Sequence, residues 1–239
     1  MKQRLDIVVS ERLKISRAKA QALIMAGEIF VDGRLATKSG ENIETESTIE
    51  PKEKFPYVSR GASKLEKAAQ EFGVDFSNKV ICDIGASTGG FTDFALQNRA
   101  TKVYAIDSGY GQLDQKLRND DRVINMERTN IKEVDTLPDE IDYFVIDVSF
   151  ISLKKVLPQC KIIRKDAPVV ALIKPQFEVG KQIADKTKGV IKDEKIRQEV
   201  VTDISDFAKS LGYIIEGVTD SPILGAKGNK EFLIHLITN

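Results

Sequence analysis

Charged side chains stand at the ends of four apolar stretches of the 239-residue chain. Asp83 lies near the end of the first stretch, Asp107 and Asp147 directly follow the second and third, and Lys174 follows the fourth. The carboxyl ends of parallel strands meet at one edge of a sheet, so these four side chains can converge on one cleft. Carboxylates in such a cleft can bind a cation or accept hydrogen bonds from hydroxyl groups, and a lysine beside them can move a proton.

The pattern around Asp83 predicts a strand, a tight turn and a helix. An apolar run over 80–84 is broken by glycine, in the pattern Asp83-x-Gly85-x-x-x-Gly89-Gly90, and a helix is expected from about Phe91. Backbone N–H groups at such a turn face outward, and glycines let a ligand approach the backbone closely. The turn therefore predicts a binding site for a ligand with polar or charged groups.

Three interpretations of this turn stay open from the residues alone: a site for S-adenosylmethionine (SAM), a site for NAD, or a βαβ turn without a ligand. The Gly-x-Gly-x-x-Gly spacing of dinucleotide folds is absent, and no Gly-Lys-Ser/Thr follows as in a P-loop. An acid two residues before the first glycine is typical of SAM methyltransferases, because SAM carries an ammonium group that an acid attracts. Asp107 can accept both ribose hydroxyls of an adenosyl group, and Asn130 lies where an adenine-contacting loop is expected.

We therefore favour SAM as the cofactor. The predicted cofactor-binding residues are Asp83, Gly85, Ala86, Ser87, Thr88, Gly89, Gly90, Phe91, Asp107 and Asn130.

The overall charge of the chain argues against a uniformly basic nucleic-acid binder. Lys plus Arg and Asp plus Glu number 36 each, so the net charge is zero. Residues 1–40, however, carry eight Lys or Arg against four acids, a local net charge of +4, which allows a basic surface there. No apolar run approaches the roughly 20 residues of a membrane helix, and the first residues lack the apolar segment of a signal peptide. These features predict a cytoplasmic protein that does not enter a membrane.

Cysteine and histidine offer little chemistry. Cys82 and Cys160 lie in apolar surroundings, which predicts buried thiols rather than a disulfide or a metal site. The only histidine, His235, alternates with leucines in a predicted strand, so we interpret it as a surface or strand residue rather than a catalyst. No metal site is predicted.

Residues 1–50 predict a small separate domain, followed by a linker over 51–58 and a large domain over 59–239. Two short helices, with Ser16 as the cap of the second, precede a hairpin whose turn is Asp32-Gly33. The stretches Arg4-Leu5-Asp6, SRAKA (16–20) and IMAGEIFVDG (24–33) resemble the RNA-binding domain named after ribosomal small-subunit protein four. The resemblance implies contacts with RNA phosphates. The predicted RNA-binding residues are Arg4, Arg17, Lys19 and Arg34, together with Arg60 at the start of the large domain.

Strands and helices alternate through residues 59–239, which predicts an α/β fold with a doubly wound, mostly parallel sheet. Five separated motifs resemble the TlyA family: SRGASKL (59–65), DIGASTGGF (83–91), VIDVSF (145–150), LIKPQFE (172–178) and GNKEFL (228–233). Members join the same small α+β RNA-binding domain to an FtsJ-like methyltransferase domain with a Rossmann-like sheet. The resemblance implies SAM-dependent 2′-O-methylation of a cytidine ribose in ribosomal RNA, with ribosomal RNA or a ribosomal subunit as the partner.

The catalytic tetrad of that family, Lys-Asp-Lys-Glu, maps onto Lys64, Asp147, Lys174 and Glu231. We hypothesise that Lys174, kept partly neutral by Lys64, is the general base, and that Asp147 and Glu231 orient the lysines. Three other functions stay open as alternatives: a ribosome-associated RNA-binding protein with an idle methyltransferase domain, a small-molecule methyltransferase, and a cytolysin, since the family also carries a haemolysin name. The intact tetrad and the complete SAM turn favour the RNA methyltransferase.

Overall fold

The computed structural model describes residues 2–52 and 55–238, which form two compact units that divide between Pro56 and Tyr57. The first unit is a small α+β domain. Its elements are β1 (Lys2–Arg4), α1 (Leu5–Arg12), α2 (Arg17–Met25), β2 (Ile29–Val31), β3 (Arg34–Ala36), β4 (Asn42–Glu44) and β5 (Ile49–Pro51).

Local sequence explains the order of the first unit. The hydroxyl oxygen of Ser16 accepts a hydrogen bond from the backbone N–H of Lys19 at 3.2 Å and so caps α2. Asp32 and Gly33 both adopt positive φ, as a two-residue hairpin between β2 and β3 requires. The third strand of this sheet, β5, pairs with β2 and was not predicted, because 49–51 shows no apolar alternation.

The second unit holds the remaining elements. They are α3 (Ala62–Phe72), β6 (Val80–Ile84), α4 (Gly90–Gln97), β7 (Lys102–Ile106), α5 (Gln115–Arg118), β8 (Val123–Met126), β9 (Tyr143–Ile146), α6 (Leu157–Ile163), β10 (Val169–Ile173), α7 (Pro175–Glu178), α8 (Lys181–Lys186), α9 (Glu194–Ser210), β11 (Ile214–Asp220) and β12 (Phe232–Ile237), with short 3-10 turns at Ile131–Glu133, Leu153–Lys155 and Ala226–Gly228.

Seven strands form the central sheet in the order β8-β7-β6-β9-β10-β12-β11. The first five are parallel, whereas β12 runs antiparallel to both β10 and β11. The chain runs outward from β6 through β7 to β8 and then returns to β9 on the other side of β6. The order of strands therefore reverses between β6 and β9, and a ligand crevice is expected at their carboxyl ends.

Helices cover both faces of this sheet. Successive strand residues point to opposite faces, so Ile81 and Val145 join an apolar cluster with α3 and α4, while Ile84 and Ile146 join one with α6 and α9. This two-sided core confirms the predicted doubly wound α/β fold. Cys82 and Cys160 are buried free thiols within it. None of the helices described in residues 2–52 and 55–238 is long and apolar enough to span a membrane.

Candidate active site

The turn after β6 lies at the point where the strand order reverses. Gly85 has φ +85°, and a β-carbon on it would stand 2.7 Å from the carbonyl oxygen of Asp147 at the end of β9. Gly90, the first residue of α4, leaves no room for a β-carbon beside the Ser59 hydroxyl. Both glycines are therefore needed for the close approach of backbone segments around the turn.

Asp83 is fully buried under this turn. The hydroxyl of Thr92 donates a 2.6 Å hydrogen bond to its Oδ2, whereas its Oδ1 has no hydrogen-bond partner within the described part of the chain. Burial raises the pKa of Asp83 to about 7, with the nearby Asp147 adding to the shift and the bond from Thr92 opposing it. The carboxyl lines a cavity of about 230 Å³, so a cationic donor in the cavity would satisfy the unpaired oxygen.

Asp107 follows β7 on the other side of the turn. Its two carboxylate oxygens accept the backbone N–H groups of Ser87 at 2.8 Å and Gly109 at 2.7 Å. Each oxygen keeps a lone pair free, so the carboxylate can also accept the two hydroxyls of a ribose. Asp107 lines a second cavity of about 750 Å³, which shares Gly85, Ser87, Asp147 and Ser149 with the first.

Nine of the ten predicted cofactor residues line one of these two cavities. Asp83, Gly85, Ala86, Ser87, Thr88, Gly90 and Phe91 line the smaller one; Gly85, Ser87, Asp107 and Asn130 line the larger. Gly89 lines neither, and instead caps the N-terminus of α4 with φ +94°. Apolar side chains of the larger cavity, Ile106, Ile131, Val148 and Ile151, suit a flat aromatic base.

The predicted tetrad residues come together beside the smaller cavity. Lys64 lies in the first turn of α3, Asp147 follows β9, Lys174 follows β10 and Glu231 precedes β12. Lys174 Nζ lies 2.5 Å from Asp147 Oδ1, Lys64 Nζ lies 3.4 Å from Asp147 Oδ2, and Lys64 Nζ lies 2.8 Å from Glu231 Oε2. The four groups thus form a row in which amines and carboxylates alternate, with the Asp147 carboxylate between the two lysines.

In the first unit, two of the predicted RNA-binding arginines share one buried acid. Both oxygens of Asp6 accept hydrogen bonds from Arg4, at 3.1 and 2.9 Å, and Oδ2 also accepts two from Arg17 at 3.1 Å and one from Gln21 at 2.7 Å. The bonds from the Arg4 guanidinium hold the pKa of Asp6 well below its usual range, against the opposing effect of burial. About half of each arginine side chain stays exposed.

The other predicted RNA-binding residues lie on the surface of their own units. Arg34 pairs with Glu41, and Lys19 is exposed on α2. Arg60 is exposed in the second unit, just before α3.

Two family descriptions match the chain. The S4 domain matches residues 3–49, and the FtsJ-like methyltransferase matches residues 57–238, which include the whole tetrad and the turn after β6. The protein belongs to the FtsJ-like methyltransferase family. The predicted activity class, SAM-dependent methyl transfer, and the predicted cofactor are thereby confirmed.

Full-length relatives place this FtsJ-like methyltransferase in the TlyA family. It is 44% identical to Hemolysin A of Brachyspira hyodysenteriae, over 97% of this chain and 98% of that protein. It is 40% identical to the 16S/23S rRNA (cytidine-2′-O)-methyltransferase TlyA of Mycobacterium tuberculosis, over 97% and 88%. It is 34% identical to the 23S rRNA (cytidine-2′-O)-methyltransferase TlyA of Campylobacter jejuni, over 99% and 100%.

Solved structures support the same fold. A hemolysin-named protein from Streptococcus thermophilus aligns with a TM-score of 0.74 at 40% identity, over 100% of this chain and 89% of that one. A structure described as a SAM-dependent methyltransferase from Listeria monocytogenes aligns with a TM-score of 0.56 at 16% identity, over 75% and 100%, which shows the fold alone.

The electrostatics of the methyltransferase site keep Lys64 charged. Burial alone would lower the pKa of Lys64, but the attraction of Asp147 and Glu231 outweighs burial and raises it. Glu231 is itself buried, and its Oε1 lies 3.5 Å from Nε2 of Gln176. Gly225 packs directly against the same oxygen, so there is no room for a side chain there.

Sequence reasoning missed two polar residues of the methyltransferase site, Ser149 and Gln112. Ser149 accepts a 2.9 Å hydrogen bond from Lys174, and Gln112 accepts one of 3.1 Å from Ser87. Ser149 stands in the motif VIDVSF, two residues after Asp147, so its position beside a strand end was an available signal. Gln112 carried none, because it lies in an irregular loop.

Proposed function

We propose that this methyltransferase transfers a methyl group from SAM to the 2′-hydroxyl of a cytidine in ribosomal RNA, and that it acts on a ribosomal subunit. The observation that carries the proposal is the row Lys174–Asp147–Lys64–Glu231 beside the cavity under the glycine turn. The rRNA (cytidine-2′-O)-methyltransferase names of relatives at 40% and 34% identity support this substrate. The S4 domain supports RNA as the partner.

The residues around the two cavities fit SAM. The unpaired oxygen of Asp83 suits an ammonium group, and the two oxygens of Asp107 suit ribose hydroxyls. When bound, SAM supplies a methyl group that is already strongly electrophilic. The protein's own side chains must therefore hold the ribose hydroxyl in place and accept its proton, because that hydroxyl is a poor nucleophile.

Lys174 is the proposed general base. Its amine lines the smaller cavity and is fixed by Asp147 and by the hydroxyl of Ser149. An amine can accept a proton only when it is neutral, whereas an adjacent carboxylate favours the charged ammonium. Lys174 can therefore act as the base only if another group weakens the attraction between its ammonium and the Asp147 carboxylate.

Lys64 weakens this attraction through its own contact with Asp147 rather than by touching Lys174. Lys64 is a buried cation and contacts Oδ2 of Asp147, while Lys174 contacts Oδ1. The carboxylate therefore shares its negative charge between two lysines. The repulsion between the two amines then favours the neutral form of the outer one. Glu231 holds Lys64 in place at 2.8 Å and keeps it charged.

The S4 domain would supply affinity for the RNA. Arg4, Arg17, Lys19 and Arg34, with Arg60 of the second unit, are the proposed phosphate contacts, which position RNA without reading its sequence. Because the proposed substrate is a ribosomal subunit, we also propose that the reaction takes place in the cytoplasm.

The proposal is tested by transfer of a labelled methyl group from SAM to separated ribosomal subunits from cells that lack the modification. We expect label on a ribose of one or both subunits, and we expect Lys174→Ala to abolish it. Lys165→Ala is the matched control, because Lys165 is an exposed lysine at the opposite, amino-terminal edge of β10. This variant should label subunits as the parent does.

Two results would contradict the proposal. Full labelling by Lys174→Ala would remove Lys174 from the chemistry. An absence of label in mature and immature subunits, from a parent protein that binds both SAM and RNA, would favour the idle RNA-binding function.

A further inference from the structure

Two segments carry the pair Asp147 and Lys174. The first runs over 147–153 after β9, and the second over 174–178 after β10. Lys174 contacts the first segment twice, at Asp147 and at Ser149. Further along, the ring of Phe177 packs on that of Phe150 with centroids 4.9 Å apart. The two segments therefore stay in contact beyond the catalytic pair.

Glu178 closes the far end of this contact. Its Oε1 accepts the backbone N–H of Leu153 at 2.8 Å, and its Oε2 accepts the hydroxyl of Ser152 at 2.5 Å. Both donors belong to the first segment, while Glu178 is the last residue of α7, whose N-cap is Lys174. One carboxylate thus joins the two segments four residues after the lysine.

The surroundings of Glu178 strengthen this contact. The side chain is only partly exposed, and burial raises the pKa of Glu178 while the bonds from Ser152 and Leu153 oppose that rise. Ser152 also caps the 3-10 turn at Leu153–Lys155, since its hydroxyl accepts the N–H of Lys154 at 3.1 Å. Hydrogen bonds to an ionised carboxylate are stronger and more directional than those between neutral groups.

The first segment also forms a wall of the larger cavity, through Val148, Ser149, Phe150 and Ile151. Its distance from the second segment therefore sets where Lys174 stands relative to that cavity. The tetrad does not include Glu178, which touches neither cavity.

We infer that Glu178 is a positioning residue: its carboxylate fixes the segment after β9 to the segment after β10, and so sets Lys174 against Asp147 and the cofactor cavity. The inference rests on the proposed role of Lys174 as the base.

The test compares three variants of the full chain in steady-state methyl transfer. Glu178→Leu keeps the volume but removes both acceptors, Ser152→Ala removes one donor, and Glu178→Gln keeps one acceptor for Leu153. We expect Glu178→Leu to lower kcat about tenfold or more, with KM for RNA and Kd for SAM within about threefold of the parent, because misplacement of a reacting group affects turnover rather than binding. Ser152→Ala should be intermediate, and Glu178→Gln should recover most of kcat.

The split between kcat and KM, together with the recovery by Glu178→Gln, separates positioning from a loss of stability. A misplaced base slows turnover in folded protein, so Glu178→Leu should keep its lower kcat at temperatures well below the midpoint of its thermal unfolding. A variant that is merely less stable would regain the parent's kcat at those temperatures.

Asp139→Leu is the matched control. Asp139 also accepts two side-chain donors, Lys102 and Tyr104 at 2.6 Å, but Lys102 is at the amino end of β7, away from the site. This variant should lose stability and keep the parent's kcat at temperatures well below the midpoint of its unfolding.

The outcomes keep the inference distinct from the proposed function. An active parent, an inactive Lys174→Ala and a Glu178→Leu with the parent's kcat would overturn the inference alone. If instead the parent transfers no methyl group or Lys174→Ala stays active, crystal structures of parent and Glu178→Leu decide. A separation of Lys174 Nζ and Asp147 Oδ1 that grows in the variant supports the inference, and an unchanged separation overturns it.

Discussion

Glu231 Oε2 lies 2.8 Å from Lys64 Nζ, and both side chains are almost completely buried. Removing two charges from water is costly, so such a pair persists only where good geometry and further hydrogen bonds offset the cost. Here Asp147 supplies the second contact to Lys64, and the backbone of Gly225 packs closely against the Glu231 carboxylate. The pair is therefore a point at which the fold and the proposed chemistry depend on the same atoms.

Replacing Glu231 by leucine should lower the free energy of unfolding by about 3–5 kcal/mol, because it leaves the buried Lys64 cation with a single, longer contact. Urea denaturation at neutral pH measures this change. Glu71→Leu is the control, since the Lys67–Glu71 pair is exposed and should contribute about 0–1 kcal/mol. The double variant Lys64→Met/Glu231→Leu should recover part of the loss; similar costs for Glu231→Leu and Glu71→Leu would contradict the argument.

Binding of SAM should weaken as pH falls below about 7. Burial raises the pKa of Asp83 to about 7, whereas the ammonium of SAM favours the ionised carboxylate. Below that pH the free protein carries a proton that SAM must displace, so Kd should rise by at most roughly tenfold per pH unit. Isothermal titration calorimetry between pH 6 and 7.5 measures this dependence.

The matched variants for this measurement are Asp83→Asn and Asp107→Asn. Asp83→Asn should bind weakly at pH 7.5 and lose the pH dependence, while Asp107→Asn should bind weakly at every pH and keep it. A flat Kd in the parent over this range would show that Asp83 does not face the ammonium.

The large-domain fold followed from the sequence because its strands are short apolar runs that end at charged residues. Val80–Ile84 and Val169–Ile173 are buried on both faces, so no alternation was needed to detect them. Strand β5 escaped detection for the opposite reason: it is a three-residue edge strand with little burial, and its pairing with β2 is a tertiary contact.

The candidate site, like the fold, could be predicted from the sequence only in part. Backbone position could be predicted, so the strand-end residues Asp83, Asp147 and Lys174 were found. Side-chain partners could not, because they depend on rotamers and on segments distant in sequence. The basic face of the small domain illustrates this: Arg4 and Arg17 look like free cations in sequence, yet both bind Asp6 in the fold.

Asp6→Asn should destabilise the S4 domain at neutral pH and have little effect in acid. The pKa of Asp6 is held well below its usual range by Arg4, so its contribution to stability is present above the unfolded pKa of about 4 and is lost as pH falls below it. Amide hydrogen exchange of α1 and α2 in the full chain measures this. Asp32→Asn is the control, because in the parent the Asp32 carboxylate accepts a hydrogen bond from the backbone N–H of Thr48 at 2.7 Å but pairs with no arginine among the described residues. Equal protection of Asp6→Asn and the parent at pH 7 would contradict the prediction.

His235 is a buried strand residue of β12, hydrogen-bonded through Nε2 to the hydroxyl of Tyr143 and packed between the rings of Tyr143 and Phe72. Burial lowers the pKa of His235, with Glu216 opposing the shift. The unfolded chain therefore takes up a proton near pH 6.5 that the native protein does not. The contribution of His235 to the free energy of unfolding is consequently lost as pH falls through that value.

Asp83 acts with the opposite sign over an overlapping pH range. Its native pKa lies above its unfolded one, so the stability linked to it grows as pH falls from about 7. The parent alone would show only the sum of the two effects. The variant His235→Gln isolates one of them, since it removes the titration and keeps a polar partner for Tyr143. Its deficit in unfolding free energy relative to the parent should shrink as pH falls from 7.5 to 5.5, because the parent loses the contribution of His235 over this range. A deficit that stays constant across this range in urea denaturation would show that His235 takes up its proton equally in both states.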